Sequence, residues 1–179
     1  MNLFKIDMML TSQSSDFECV ETRNLEAEGF YGLFRLSFGE NYYGTYIQEA
    51  AGQLHPQDDL YYWIEAMLEV TICISEYNYC AVRDIEYPRR WIEFVVNGSD
   101  VTISVIDADN LSSAFCVKDK LSQKTIVLSG AKVDKQQLVD EIIDCAKTFI
   151  DSVVKIEPRF GETKQHKRIL DLMKKQKLQ

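Results

Sequence analysis

Between Leu36 and Val82 the chain has no Lys or Arg, although seven carboxylates (Glu40, Glu49, Asp58, Asp59, Glu65, Glu69 and Glu76) and seven of its nine tyrosines fall there. Other absences narrow the function further. No apolar run approaches the roughly 18 residues that a bilayer-crossing helix needs. Residues 1–10 carry one Lys and an interrupted apolar pattern, without the unbroken apolar region or cleavage site of a signal peptide. The expectation is a soluble, cytoplasmic protein. The five cysteines (Cys19, Cys73, Cys80, Cys116 and Cys145) are odd in number and form no C-x-x-C pair. That pattern argues against a disulfide framework and for reduced thiols buried among apolar neighbours. The competing reading, a catalytic or metal-binding cysteine, calls for a nearby base or positive charge.

Histidine is equally sparse. His55 lies in a Pro-containing loop and His166 in a basic tail, so both read as solvated, which weakens any chemistry built on an imidazole ligand or base. The phosphate-loop, dinucleotide, hydrolase-elbow and zincin motifs are all missing. No catalytic residue and no cofactor is assigned on these grounds.

What is present is a folded body with an acidic surface. The 179 residues are 46% apolar and 11% aromatic, well above the content of a disordered acidic chain, and suit one domain with a continuous core. The formal charge of −8 is unevenly spread: residues 1–82 hold three basic and thirteen acidic side chains, residues 83–160 are nearly balanced, and the tail from Gly161 has six basic and two acidic. The division expected is a domain over residues 1–160 and a basic helical tail over 161–179.

Short strands are expected over residues 2–10 and 17–22, separated by a Ser-rich turn. Phe30, Phe34, Leu36 and Phe38 alternate with Tyr31, Leu33, Arg35 and Ser37, which places aromatic bulk on one face of a strand. After a turn at Gly39 to Asn41, residues 42–47 return, with Gly44 marking a bulge or close backbone approach. A loop around Gly52 and Pro56 leads to a helix from Gln57 or Asp58 to Ser75, its early aspartates at the positive end of the dipole. Leu60, Ile64, Met67, Leu68, Thr71 and Ile74 form its buried stripe, leaving Tyr61, Tyr62, Glu65 and Glu69 on the other side.

Asn97-Gly98 marks a hairpin. Pairing outward from a type I′ turn sets Phe94 opposite Val101, Ile92 opposite Ile103, Glu93 opposite Thr102 and Trp91 opposite Ser104. Strands over 114–117 and 125–128 follow. Asp134 then caps a long helix with Gln137 three residues on, and Leu138, Ile142, Cys145, Phe149 and Val153 form its stripe up to Pro158. Strands grouped around one helix, then a closing helix, describe an α+β domain with an antiparallel sheet. Residues 162–178 form a short basic helix that docks, frays, or covers an acidic face of this or another copy.

Three constellations carry candidate chemistry. Asp107, Asp109 and Asn110, with Glu93, form either a solvated turn or an oxygen site for Mg²⁺ or Ca²⁺, the basis of a metal-dependent enzyme or ligand-binding reading. Arg83, Arg89 and Arg90 either grip a phosphate or form ion pairs at a strand end. The helix face bearing Asp58, Asp59, Tyr61, Tyr62, Glu65 and Glu69 is either core plus solvated acids or a hot-spot surface for a basic partner, with Tyr supplying area and the acids steering encounter. Nucleic acid is disfavoured as a partner of so acidic a body. A homo-oligomer in which one copy's tail covers another's acidic face is the remaining structural reading.

Aromatic strands through Phe30 to Phe38, an acidic helix containing Tyr61, Tyr62 and Trp63, and a strand-to-helix ending from Thr125 to Val153 resemble the immunity proteins of bacterial toxin systems. That resemblance implies a non-catalytic protein that neutralises a cognate toxin by covering a basic or functional surface.

Overall fold

The computed structural model describes residues 4–21, 24–25, 29–44, 58–109 and 114–176. Among them the α+β expectation holds: nine strands form two antiparallel sheets around three α-helices. The loop containing Gly52, His55 and Pro56, the end of the return strand at Ile47, and Asn110 lie outside the described residues.

β2 (Tyr31–Phe38) is the centre of the smaller sheet. β1 (Phe4–Leu10) runs along one edge from Phe4 opposite Phe38 to Leu10 opposite Gly32. β3 (Asn41–Gly44) and β4 (Asp58–Asp59) pair with different stretches of the other edge. Phe34, Leu36 and Phe38 are buried as the alternation requires. Gly44 has φ +97°, and a Cβ there would stand 2.1 Å from the Phe34 carbonyl oxygen, which is the close backbone approach expected of it. Where a strand is expected over residues 17–22, Ser14–Phe17 forms a helical turn and residues 18–21 irregular backbone, and Thr22 lies outside the described residues. Asp16 accepts the Gln13 N–H at 2.7 Å, and such local side-chain bonding favours a turn over a ladder.

The larger sheet has the order β8-β5-β6-β7-β9, with β5 (Tyr79–Arg83), β6 (Arg90–Asn97), β7 (Asp100–Asp107), β8 (Cys116–Val117) and β9 (Thr125–Asp134). The β6–β7 hairpin is present, but its loop is Gly98-Ser99, one residue later than a turn centred on Asn97-Gly98. Asn97 faces Asp100, Phe94 faces Ile103 and Ile92 faces Val105. Gly98 takes φ +66° and Asn97 does not take a positive φ, as a Gly-x loop demands. The expected register is therefore off by two residues, and because two is the side-chain period every residue keeps its expected face. β9 is longer than expected, since it follows β7 to the end, where Asp134 faces Asp100.

α1 (Leu60–Glu76), α2 (Lys135–Ile156) and α3 (Lys164–Gln176) complete the fold. α1 contacts both sheets and both other helices. Consequently its expected stripe is buried, and Tyr61, Trp63, Ala66, Val70 and Cys73 are buried as well. α2 begins as expected, with Asp134 accepting the Gln137 N–H at 2.9 Å, and ends before Pro158. Of its expected stripe Cys145 is only partly buried, while Val139, Ala146 and Ile150 widen it. A helical turn at Pro158–Glu162 leads into α3, which docks on α1 through Ile169 and Leu172. A second, smaller apolar cluster of Tyr79, Ala81, Trp91, Ile106, Ala108 and Leu121 forms apart from the main core. Among the described residues no helix is long and apolar enough to cross a membrane.

Candidate functional site

Docking of α3 on α1 creates a pocket of about 390 Å³ whose lining includes Asp59, Tyr62, Glu65, Glu69, Phe115 and Arg168. Asp59 is the N-cap of α1 and accepts the Tyr62 N–H at 3.2 Å. Burial raises its pKa, opposed by the backbone donors of Tyr62 and Tyr61. Burial likewise raises the pKa of Glu65, Arg168 pulls it back, and the neighbouring Glu69 and Asp59 charges add to the rise. Arg168 of α3 answers both glutamates, with Nη2 at 2.8 Å from Glu65 Oε1 and 3.0 Å from Glu69 Oε1. Tyr62 donates its hydroxyl to the Arg83 carbonyl, and its ring meets Phe115 edge-on at 5.2 Å. Phe115 is 53% exposed. The result is a half-buried concavity with three carboxylates, two aromatic rings and one guanidinium.

Of the six residues expected on the acidic face, Asp59, Tyr61, Tyr62, Glu65 and Glu69 all border this pocket, Tyr61 from a nearly buried position. Only the backbone of Asp58 is described, in β4. Tyr61 does not face outward: it is 2% exposed, edge-on to Phe149 at 5.0 Å and stacked on Phe160 at 5.9 Å. A single-stripe reading assigns it to the solvent side, but α2 and the turn at Pro158–Glu162 cover that side too. The basic tail lies on the acidic helix of its own chain. His166 corrects the expectation of a solvated side chain, since it is 6% exposed, its Nδ1 is buried without a hydrogen-bond partner among the described residues, and burial lowers its pKa.

In the other constellations the carboxylates are held in ion pairs, and Arg83 is held by a backbone carbonyl and an aromatic ring. Asp107 Oδ1 receives Arg90 Nε at 2.6 Å, and Asp109 Oδ1 receives Arg89 Nε at 3.1 Å. Glu93 is buried and bound by Lys124. The three carboxylates are thus engaged by separate cations. Arg83 donates to the Ala114 carbonyl at 3.0 Å and lies over the Trp91 ring at 5.0 Å.

One cluster was not legible in the sequence spacing. Cys73 in α1, Cys80 in β5 and Cys116 in β8 converge, with Cys80 Sγ 3.4 Å and Cys73 Sγ 3.9 Å from Cys116 Sγ. Hydrogen bonds from Cys116 and Cys80 hold the Cys73 thiol well below its usual range, and hydrogen bonding with burial pushes Cys80 up. The burial expected of the cysteines holds for Cys73 and Cys80, in part for Cys116 and Cys145, and not for Cys19, which is exposed. The chain matches no protein-family model, no curated protein and no solved structure.

Proposed function

We propose that this protein is a non-catalytic binding domain that receives basic side chains of a protein partner at the pocket between α1 and α3, as an immunity protein covers a cognate toxin. The observation that carries the reading is the pairing of Glu65 and Glu69 with Arg168: two half-buried carboxylates already hold a guanidinium at 2.8 and 3.0 Å. A partner's Arg or Lys entering the pocket meets the same carboxylates together with the rings of Tyr62 and Phe115, and a cation over an aromatic face adds about 0.5–2 kcal/mol. The net charge of −8 steers a basic partner toward the surface. In a nuclease toxin, the residues so covered would be those that contact phosphate.

Binding is measured with the basic partner recovered by pull-down from the source cell. The association rate should fall steeply with added salt, and Glu65→Arg with Glu69→Arg should abolish capture. Adding Arg168→Glu restores the pairing between α1 and α3 with reversed signs, so continued loss of capture in that triple variant separates binding from folding. Unchanged affinity in the triple variant would sink the assignment.

A further inference from the structure

Three of the five cysteines meet in space although 6 and 35 residues separate them along the chain. α1 ends at Glu76, the Tyr77 N–H bonds back to the Cys73 carbonyl at 2.7 Å, and β5 starts at Tyr79. This tight helix-to-strand return sets Cys73 over the start of β5. β8 then pairs antiparallel with β5, placing Cys116 opposite Val82. Cys80 and Val82 share one face of β5, so Cys116 joins Cys80 on the face turned toward α1.

The sulfur atoms of all three lie within 4.8 Å of one another. Three sulfurs bound at about 2.3 Å to a common centre in a trigonal plane stand about 4 Å apart. The observed separations of 3.4 and 3.9 Å fall at or somewhat below that value, within the movement that side-chain rotation permits. Simple apolar packing of cysteines, which behave as small hydrophobes, asks for no such convergence from three separate elements. Among the described residues no fourth Cys, His, Asp or Glu completes the set. A structural zinc site is almost always four-coordinate, whereas soft thiolates also select Cu(I). Cys73 and Cys80 are buried, and Cys116, partly exposed, lines the pocket between α1 and α3, which gives the ion a way in.

We infer that Cys73, Cys80 and Cys116 form a three-coordinate thiolate site for a soft monovalent metal ion, Cu(I). Each thiol coordinates as thiolate, so loading releases protons to the buffer while the copper stays in one oxidation state. The anionic product has a positive charge two residues from Cys116 in Lys118, whose ammonium sits 4.3 Å from the centre of the Tyr77 ring.

The test titrates the reduced full chain anaerobically with Cu(I) against a chromophoric Cu(I) chelator, then records X-ray absorption on the loaded protein. One equivalent is expected to be retained, with three sulfur neighbours and no nitrogen. Cys116→Ser should weaken retention about a hundredfold or more, by analogy with the loss that even outer-shell changes cause, and Cys145→Ser should leave it unchanged. Loading should also raise the denaturant midpoint of the wild-type chain and not that of Cys116→Ser, a readout that survives if Cys73 or Cys80 variants fail to fold. Equal retention by wild type and Cys116→Ser, no competition with the chelator, or preferential binding of Co(II) with a four-coordinate spectrum would each overturn the assignment.

Discussion

Arg168 and Glu69 stand 99 residues apart in the chain and 3.0 Å apart in space. The pair marks the seam where α3 meets α1, but the seam is held by other atoms. Arg168 is 58% and Glu69 34% exposed, and a pair so open to water contributes about 0.2–1 kcal/mol at most. Ile169, beside Arg168, is fully buried. Ile169→Ala should therefore cost about 2–5 kcal/mol in urea unfolding, and Arg168→Ala under about 1. The Arg168→Ala effect should shrink in added salt, and that of Ile169→Ala should not.

His166 makes the docking of α3 sensitive to acid. Its folded pKa lies below the ordinary value of 6.5 because burial, and secondarily the Lys167 charge, disfavours the imidazolium. The unfolded chain thus binds more protons, and the His166 contribution to stability is present above about pH 6.5 and lost as the pH falls through the folded pKa. Asp59 and Glu65 have raised pKa values, so their contributions run the other way, strengthening as the pH falls. The clean measurement is the difference between wild type and His166→Leu: the variant should gain relative stability between about pH 7 and about pH 5. A constant difference across that range would contradict neutral burial of His166.

Two glycines with positive φ should differ in what an alanine costs. Gly98 has φ +66° and open space around its missing Cβ, so Gly98→Ala meets backbone strain alone, about 1–2 kcal/mol. Gly44 has φ +97° and the Phe34 carbonyl oxygen 2.1 Å from that position. Gly44→Ala should cost clearly more and perturb the β2–β3 pairing, which amide exchange of the β3 backbone would report.

Removing one partner of the Glu93–Lys124 pair should hurt more than removing both. Glu93 is buried, and Lys124→Met leaves its carboxylate without a cation, a loss of about 3 kcal/mol. Adding Glu93→Gln should recover much of that loss in the same unfolding assay, since the buried charge is gone.

Elements whose signal is local were readable from the sequence. The Asp134 cap, the period of α2, the aromatic alternation of β2 and the stop before Pro158 each depend on neighbours within a few residues. The β6–β7 register was readable in parity but not in absolute value, because parity follows from the apolar pattern and the absolute value from which two residues form the loop. The inward turn of Tyr61 and the burial of His166 depend on where α2 and α3 come to rest, which no local pattern encodes. Part of the candidate pocket was visible because Asp59, Tyr62, Glu65 and Glu69 belong to one helix and its cap, whereas Phe115 and Arg168 arrive from distant segments. The thiol cluster was hidden because its spacing reflects one β-pairing, that of Cys116 with Val82, and not a motif.

The first twenty residues are tied to the last third of the chain. Glu141 of α2 accepts the Ile6 N–H at 3.0 Å, and Arg159 donates to the Val20 carbonyl at 2.8 Å. During synthesis α1 follows the first sheet directly and can cover Phe34, which stacks on Trp63 at 4.6 Å, but the cover over β1 is still unmade, and that part of the sheet stays open to other chains until α2 has emerged. Premature termination before α2 should give a fragment that aggregates or is degraded, so for this protein the C-terminal residues act as the release condition for the N-terminal ones.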